Sequence, residues 1–151
     1  MNIRPDQLAD VLNRQLHPLY LISGDEPLQV MESSDRVRAA CRQQDYTERE
    51  VFDVDASFDW QLLKDEANSL SLFSSRRILD VRIPSAKPGR EGGQALKEYT
   101  VNPPEDTVLL ITSGKLEAAQ KKSAWFKALD QAGVVMQCWP VGPDRLPAWI
   151  K

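Results

Sequence analysis

Five short apolar runs alternate with segments of helical period, and that alternation constrains this chain more than any other feature. The runs are Leu19-Tyr20-Leu21-Ile22, Val51-Phe52-Asp53-Val54, Ile78 to Ile83, Thr107-Val108-Leu109-Leu110-Ile111 and Val134-Val135-Met136-Gln137-Cys138. Near-continuous apolar strands are those of a sheet covered on both faces, and strands separated by helices form βαβ units. The spacing predicts helices over 5–15, 28–42, 59–69, 94–99 and 117–131, with Pro5 in a first-turn position and Gly133 as a C-cap. Their core stripes include Leu8, Val11 and Leu12; Val30, Met31, Val37, Ala40 and Cys41; Leu63, Ala67 and Leu70; and Leu116, Ala119, Phe126 and Leu129. Residues 84–93, with two prolines and three glycines, read as a loop. The expected fold class is α/β, a parallel sheet flanked by helices.

Composition narrows the chemistry. A chain of 151 residues, 42% hydrophobic and 27% charged, can bury a core without disulfides or a structural metal. With 19 basic and 22 acidic residues its formal charge is −3, a poor footprint for a protein that grips nucleic acid by itself. His17 is the only histidine, so a zinc site built on several histidines is excluded, as is a Ser-His-Asp triad on any other one. Cys41 and Cys138 stand apart and are expected to be reduced. Met1 to Pro5 lacks a signal-peptide stretch and no run approaches a membrane span, so the expected location is cytoplasmic.

A strand, a tight loop and a helix at 19–42 raise the question of a nucleotide site. A P-loop needs G-x-x-x-x-G-K followed by Ser or Thr, so that backbone N–H groups and a lysine surround the phosphates. The loop Gly24-Asp25-Glu26-Pro27-Leu28 has one glycine, no lysine and two carboxylates, and Pro27 removes a donor. Asp25 and Glu26 can themselves satisfy the helix amino end. Asp53 and Asp55 end a strand without a further acidic partner, and Thr112 and Ser113 follow Ile111 where a magnesium-positioning acidic pair would be needed. The reading is a degenerate nucleotide site and no cofactor. Lys121 and Lys122 beside Trp125 and Phe126 form a solvated face next to a core helix.

The segment Asn68-Ser69-Leu70-Ser71-Leu72-Phe73-Ser74-Ser75-Arg76-Arg77 joins a helix to a strand. Leu72 and Phe73 are adjacent and cannot both follow one helical stripe. From the residues alone, an apolar pair ending a helix packs into the core. At the carboxyl end, Asp144 to Lys151 reads as the first turns of another amphipathic helix, which suggests a domain cut from a longer protein.

In order and spacing, several stretches resemble the delta subunit of the bacterial replicative clamp loader, part of the DNA polymerase III holoenzyme. They are Pro5-Asp6-Gln7-Leu8, Leu19 to Leu28, Phe58-Asp59-Trp60, Ser69 to Arg77, Leu109-Leu110-Ile111, Gly114-Lys115-Leu116, Ser123-Ala124-Trp125-Phe126 and Leu146-Pro147-Ala148-Trp149. The resemblance implies a RecA-like, P-loop-NTPase-like first domain over 1–140 that has lost its nucleotide site. It also implies that 141–151 begins a helical lid domain. It implies that Leu72 and Phe73 form a plug for a hydrophobic pocket on the beta sliding clamp, with Ser69, Leu70 and Ser71 in the same contact element. The function implied is non-catalytic clamp binding and opening during DNA replication. The implied partners are the clamp and, through other domains, the gamma/tau ATPase and delta-prime subunits. DNA contact is expected only through the assembled complex, and the chain itself is expected to be monomeric. Ser75-Arg76-Arg77 is not the Ser-Arg-Cys arginine-finger motif of the related subunits. The alternatives are a nucleotide-binding RecA-like NTPase domain and an inactive assembly module.

Overall fold

The computed structural model describes residues 1–55, 57–68 and 76–138. Their strands are β1 (Asn2–Ile3), β2 (Leu19–Gly24), β3 (Tyr46–Asp53), β4 (Arg76–Ile83), β5 (Thr107–Ser113) and β6 (Val134–Cys138). The helices are α1 (Leu8–Arg14, preceded by a 3-10 turn at Pro5–Gln7), α2 (Pro27–Gln43), α3 (Gln61–Asn68), α4 (Gly89–Val101), α5 (Ala118–Lys121) and α6 (Ala124–Ala132). The strands form one sheet in the order β1-β6-β2-β5-β4-β3, and every pairing is parallel. This is the expected α/β architecture, with one strand more than the apolar runs announced. β1 has only two residues, too short to show a period. It is fixed as an edge by Val135 donating to the Met1 carbonyl at 2.8 Å and by the terminal ammonium donating to the Gly133 carbonyl at 2.7 Å.

Strand alternation divides the core into two layers. Leu19, Leu21, Leu79, Val81, Ile83, Leu109 and Ile111 meet α3, α4 and α6 through Leu63, Leu96, Tyr99, Trp125, Phe126 and Leu129. Tyr20, Ile22, Ile78, Val108 and Leu110 point the other way, toward Leu8 of α1 and Val37 and Cys41 of α2. The two central strands, β2 and β5, are covered on both faces and are apolar through their middles, over 19–22 and 108–111. β3, at the other edge, is nearly all exposed and carries Glu48, Arg49 and Glu50, charges that discourage strand addition from another chain. Its apolar run shows only half of it, which is why the strand begins five residues before Val51.

Two helical expectations need correction. The second half of the segment read as a loop is the start of α4. Its glycines serve close packing: a Cβ on Gly92 would lie 2.5 Å from the Trp60 ring, and one on Gly93 3.1 Å from Trp125. The helix expected over 117–131 is two helices, broken at Lys122-Ser123. Ser123 is extended and caps α6, its Oγ accepting from the Phe126 N–H at 3.4 Å. Ala119 is therefore exposed rather than part of the core stripe, and Met31 of α2 is also exposed, at 54%. Trp125 and Phe126 are both buried, so the aromatics beside Lys121 and Lys122 belong to the core. Cys41 and Cys138 are free thiols and both buried.

Candidate functional site

The five residues of the expected contact element, Ser69, Leu70, Ser71, Leu72 and Phe73, lie outside the described residues, as does the segment 141–151. What the structure supplies is the frame on either side of 69–75. α3 ends at Asn68 and β4 starts at Arg76. Arg76 lies at the amino edge of the parallel strands, opposite the edge where Gly24 leads into α2.

The frame is built from local signals. Asp59 starts α3 by accepting from the Gln61 N–H at 3.0 Å, and Gln61 Nε2 donates to Asp65 at 2.9 Å. Trp60 and Leu63 anchor the helix in the core, Phe58 standing edge-on to Trp60 at 5.1 Å between ring centroids. Lys64 pairs with Glu98 of α4 at 3.2 Å. At the far end, buried Arg77 joins three elements. Its Nη1 donates to Glu66 Oε1 at 3.1 Å, its Nη2 to the Ala67 carbonyl at 3.3 Å, and its Nε to Thr107 Oγ1 at 3.3 Å. The last turn of α3 is thus tied to the starts of β4 and β5, holding both ends of the connecting segment. Beside it, a cavity of about 270 Å³ lies between α3 and α4, lined by Ala67, Asn68 and Tyr99 among others. Burial pushes the Tyr99 hydroxyl well above the usual tyrosine range, against the lowering influence of Arg77.

The opposite edge carries the nucleotide question. Gly24 has a structural reason for being glycine: a Cβ there would lie 2.5 Å from the Cys138 carbonyl oxygen of β6. Pro27 is at the first turn of α2, and the Glu26 side chain makes no capping hydrogen bond, so the internal satisfaction expected of Asp25 and Glu26 is not made by the residue at the N-cap. Asp55 accepts from the Ser57 N–H and hydroxyl, both at 2.9 Å, a local turn that accounts for it without a ligand. Among the described residues, no group of three or more His, Cys, Asp or Glu could hold a metal ion. His17 sits in the loop before β2, its N–H donating to the Tyr20 hydroxyl at 2.8 Å.

Sequence reasoning missed a cluster near this edge. Asp80, inside β4, is fully buried on the α2 side of the sheet. Its Oδ2 accepts from Arg38 Nη1 of α2 at 3.0 Å and from Arg49 Nε of β3 at 3.0 Å, with Arg49 Nη2 at 2.9 Å. Arg82 Nε is 3.8 Å from Oδ1, and Arg38 Nη2 also pairs with Asp35. The signal was the alternation Ile78-Asp80-Arg82 on a face where β2 and β5 present Tyr20, Ile22, Val108 and Leu110. Charged residues there must meet countercharges from α2 and β3.

Together these features define a helix-flanked, all-parallel α/β domain with a braced helix-to-strand connection at one edge and an arginine-lined cleft at the other. A family model described as DNA polymerase III, delta subunit, matches residues 20–139, and the chain belongs to that family. It is 32% identical over 150 residues to the DNA polymerase III subunit delta of Escherichia coli, covering 99% of this chain and 44% of the relative. It is 28% identical over 157 residues to that of Haemophilus influenzae, with the same coverages. The chain therefore spans less than half the length of the curated relatives it matches. Among solved structures, it superposes on the Bacillus subtilis DNA clamp loader delta protein with a TM-score of 0.73 at 18% identity, over 96% of this chain and 45% of that one. A gamma subunit-related protein of Thermotoga maritima gives a TM-score of 0.54 at 14% identity, over 97% of this chain and 49% of that one. Among the described residues, no helix is long and apolar enough to cross a membrane.

Proposed function

We propose that this chain is the clamp-binding part of a clamp-loader delta subunit, and that it engages the beta sliding clamp through Leu72 and Phe73 without catalysing a reaction. The observation that carries the reading is the delta-subunit match over 20–139, which includes the whole segment 69–77. The brace at Arg77 supports it, because a segment anchored at both ends loses less freedom on binding. Burying a leucine and a phenylalanine stabilises a complex by about 1.5–3 kcal/mol each, enough for two hot spots. Ser69, Leu70 and Ser71 complete the contact element. A binder opens a ring only by favouring the open form over the closed one. The plug would act in this way beside a clamp interface, while ATP hydrolysis belongs to the gamma/tau subunits. Association with those subunits and with delta-prime rests mainly on domains beyond this chain. The work is cytoplasmic, at the replisome, and the RecA-like site that would hold a nucleotide is degenerate.

The test is calorimetric titration of the chain with the beta sliding clamp, repeated with Leu72→Ala/Phe73→Ala after circular dichroism confirms folding. Binding by the parent and its loss in the folded double variant is the expected result. Equal binding by both would remove the plug from the mechanism. Loss of folding in the variant would return the pair to the core.

A further inference from the structure

We propose that the cleft at the carboxyl edge of β2, β4 and β5 is an oxyanion site that takes a phosphoryl group on Arg49 and Arg82. The cleft has a volume of about 610 Å³ and lies between the first turns of α2 and the strand ends, with Gly24, Ser34, Arg49, Arg82 and Ser113 among its lining residues. Three guanidinium groups, of Arg38, Arg49 and Arg82, converge there on two carboxylates, of Asp35 and Asp80. One positive charge is left over.

The hydrogen bonds show where the excess lies. Arg38 is buried, with one nitrogen on Asp80 and another on Asp35. Arg49 uses Nε and Nη2 on Asp80, which leaves Nη1 unengaged among the described residues. Arg82 approaches Asp80 no closer than 3.8 Å, beyond hydrogen-bond distance, and neither Nη1 nor Nη2 has a partner among the described residues. The Arg49 and Arg82 side chains are 40% and 43% exposed, so their free donors are reachable from solvent. Asp80 would otherwise repel an anion, but its charge is already met by the two shorter pairs.

Two planar forks with free N–H groups suit the oxygens of a phosphoryl group better than any single-point acceptor. The amino end of the 17-residue helix α2 adds partial positive charge at the same cleft, uncapped by the Glu26 side chain. Asp25 and Glu26 precede that helix but do not line the cleft. This site differs in kind from a P-loop, since its donors are side chains from β3 and β4 rather than backbone and lysine. It also lies at the opposite end of β4 from Arg76, and its test does not involve the clamp, so it stands or falls independently of clamp binding. The phosphoryl group can come from a free phosphate or from the backbone of a nucleic acid.

The test is calorimetric titration of the chain with sodium pyrophosphate at low, fixed ionic strength, then with a short single-stranded oligothymidylate. Saturable millimolar binding of pyrophosphate is expected, weakened about tenfold in Arg82→Gln and less in Arg82→Lys, which keeps the charge and loses the fork. Arg76→Gln, at the other end of β4, is the control and should bind as the parent does. Arg49→Gln repeats the measurement from the edge strand should Arg82→Gln fail to fold. Displacement of pyrophosphate by the oligonucleotide, with the same loss in Arg82→Gln, identifies a nucleic-acid backbone as the source; pyrophosphate binding alone identifies a free phosphate. The proposal is overturned by no saturable binding at millimolar pyrophosphate, or by equal weakening in Arg76→Gln. Either result would leave Arg49 and Arg82 as counterions of Asp80 only.

Discussion

Replacing Asp80 by Asn removes one charge and almost no volume, so it isolates the electrostatic role of the cluster. In the parent, the fully buried carboxylate accepts from Arg38 at 3.0 Å and from Arg49 at 2.9 and 3.0 Å. The amide oxygen can still accept from Arg38 and Arg49 at the Oδ2 position, but it carries no charge, and its NH2 group takes the Oδ1 position, 3.8 Å from the Arg82 Nε. Arg49 and Arg82 can turn partly to water, so little of the penalty falls on them. Arg38 cannot, because its side chain is buried between α2 and the sheet, and its remaining carboxylate, Asp35, is exposed. Breaking one buried pair costs about 3–5 kcal/mol, and the solvent access of two of the three cations puts Asp80→Asn at the lower end, about 3 kcal/mol. Urea unfolding followed by circular dichroism measures it as a shift in midpoint at constant slope. Adding Arg38→Gln to Asp80→Asn should return part of the loss, since the orphaned charge is then gone. A destabilisation under about 1 kcal/mol for Asp80→Asn would refute the reasoning, because the arginines would then be solvated independently of the carboxylate.

Arg77→Ala should destabilise the fold by about 2 kcal/mol and also weaken clamp binding, since it unties both ends of segment 69–75; Glu66→Gln, which removes only the partly exposed partner, should cost less in urea unfolding. Gly24→Ala should cost about 1–3 kcal/mol in thermal unfolding, because the added methyl meets the Cys138 carbonyl rather than a movable side chain. Burial pushes the Cys41 thiol from its ordinary 9.0 up to about 11 and the Tyr20 hydroxyl from 10.0 up to about 12. Both groups must be neutral in the folded state, so their contribution is complete below their unfolded values. It falls away as the pH rises from 9.0 through about 12. Urea midpoints across that range should decline, and Cys41→Ala should flatten the first part of the decline.

The parallel α/β sheet was legible because strands buried on both faces have to be largely apolar, and β2 over 19–22, β5 over 108–111 and β6 over 134–136 are. The loop after β2 could be read for a similar reason: Asp25, Glu26 and Pro27 are not the residues of a P-loop, wherever the backbone runs. Misreadings arose where a residue serves a neighbour distant in sequence. Gly92 and Gly93 look like loop residues until Trp60 and Trp125 are seen to pack on them. β1 is two residues of backbone pairing, and pairing of that kind leaves no periodicity.

By itself, the chain determined its strand and helix alternation and its unpaired cysteines, because each depends on residue type over a few positions. Only the tertiary structure decided that Arg77 ties the end of α3 to β4 and β5 and that Arg38, Arg49 and Arg82 gather around Asp80. Those residues come from α2, β3 and β4, and charges separated along the chain act as one group only when the fold brings them within a few ångströms in a place that water does not screen.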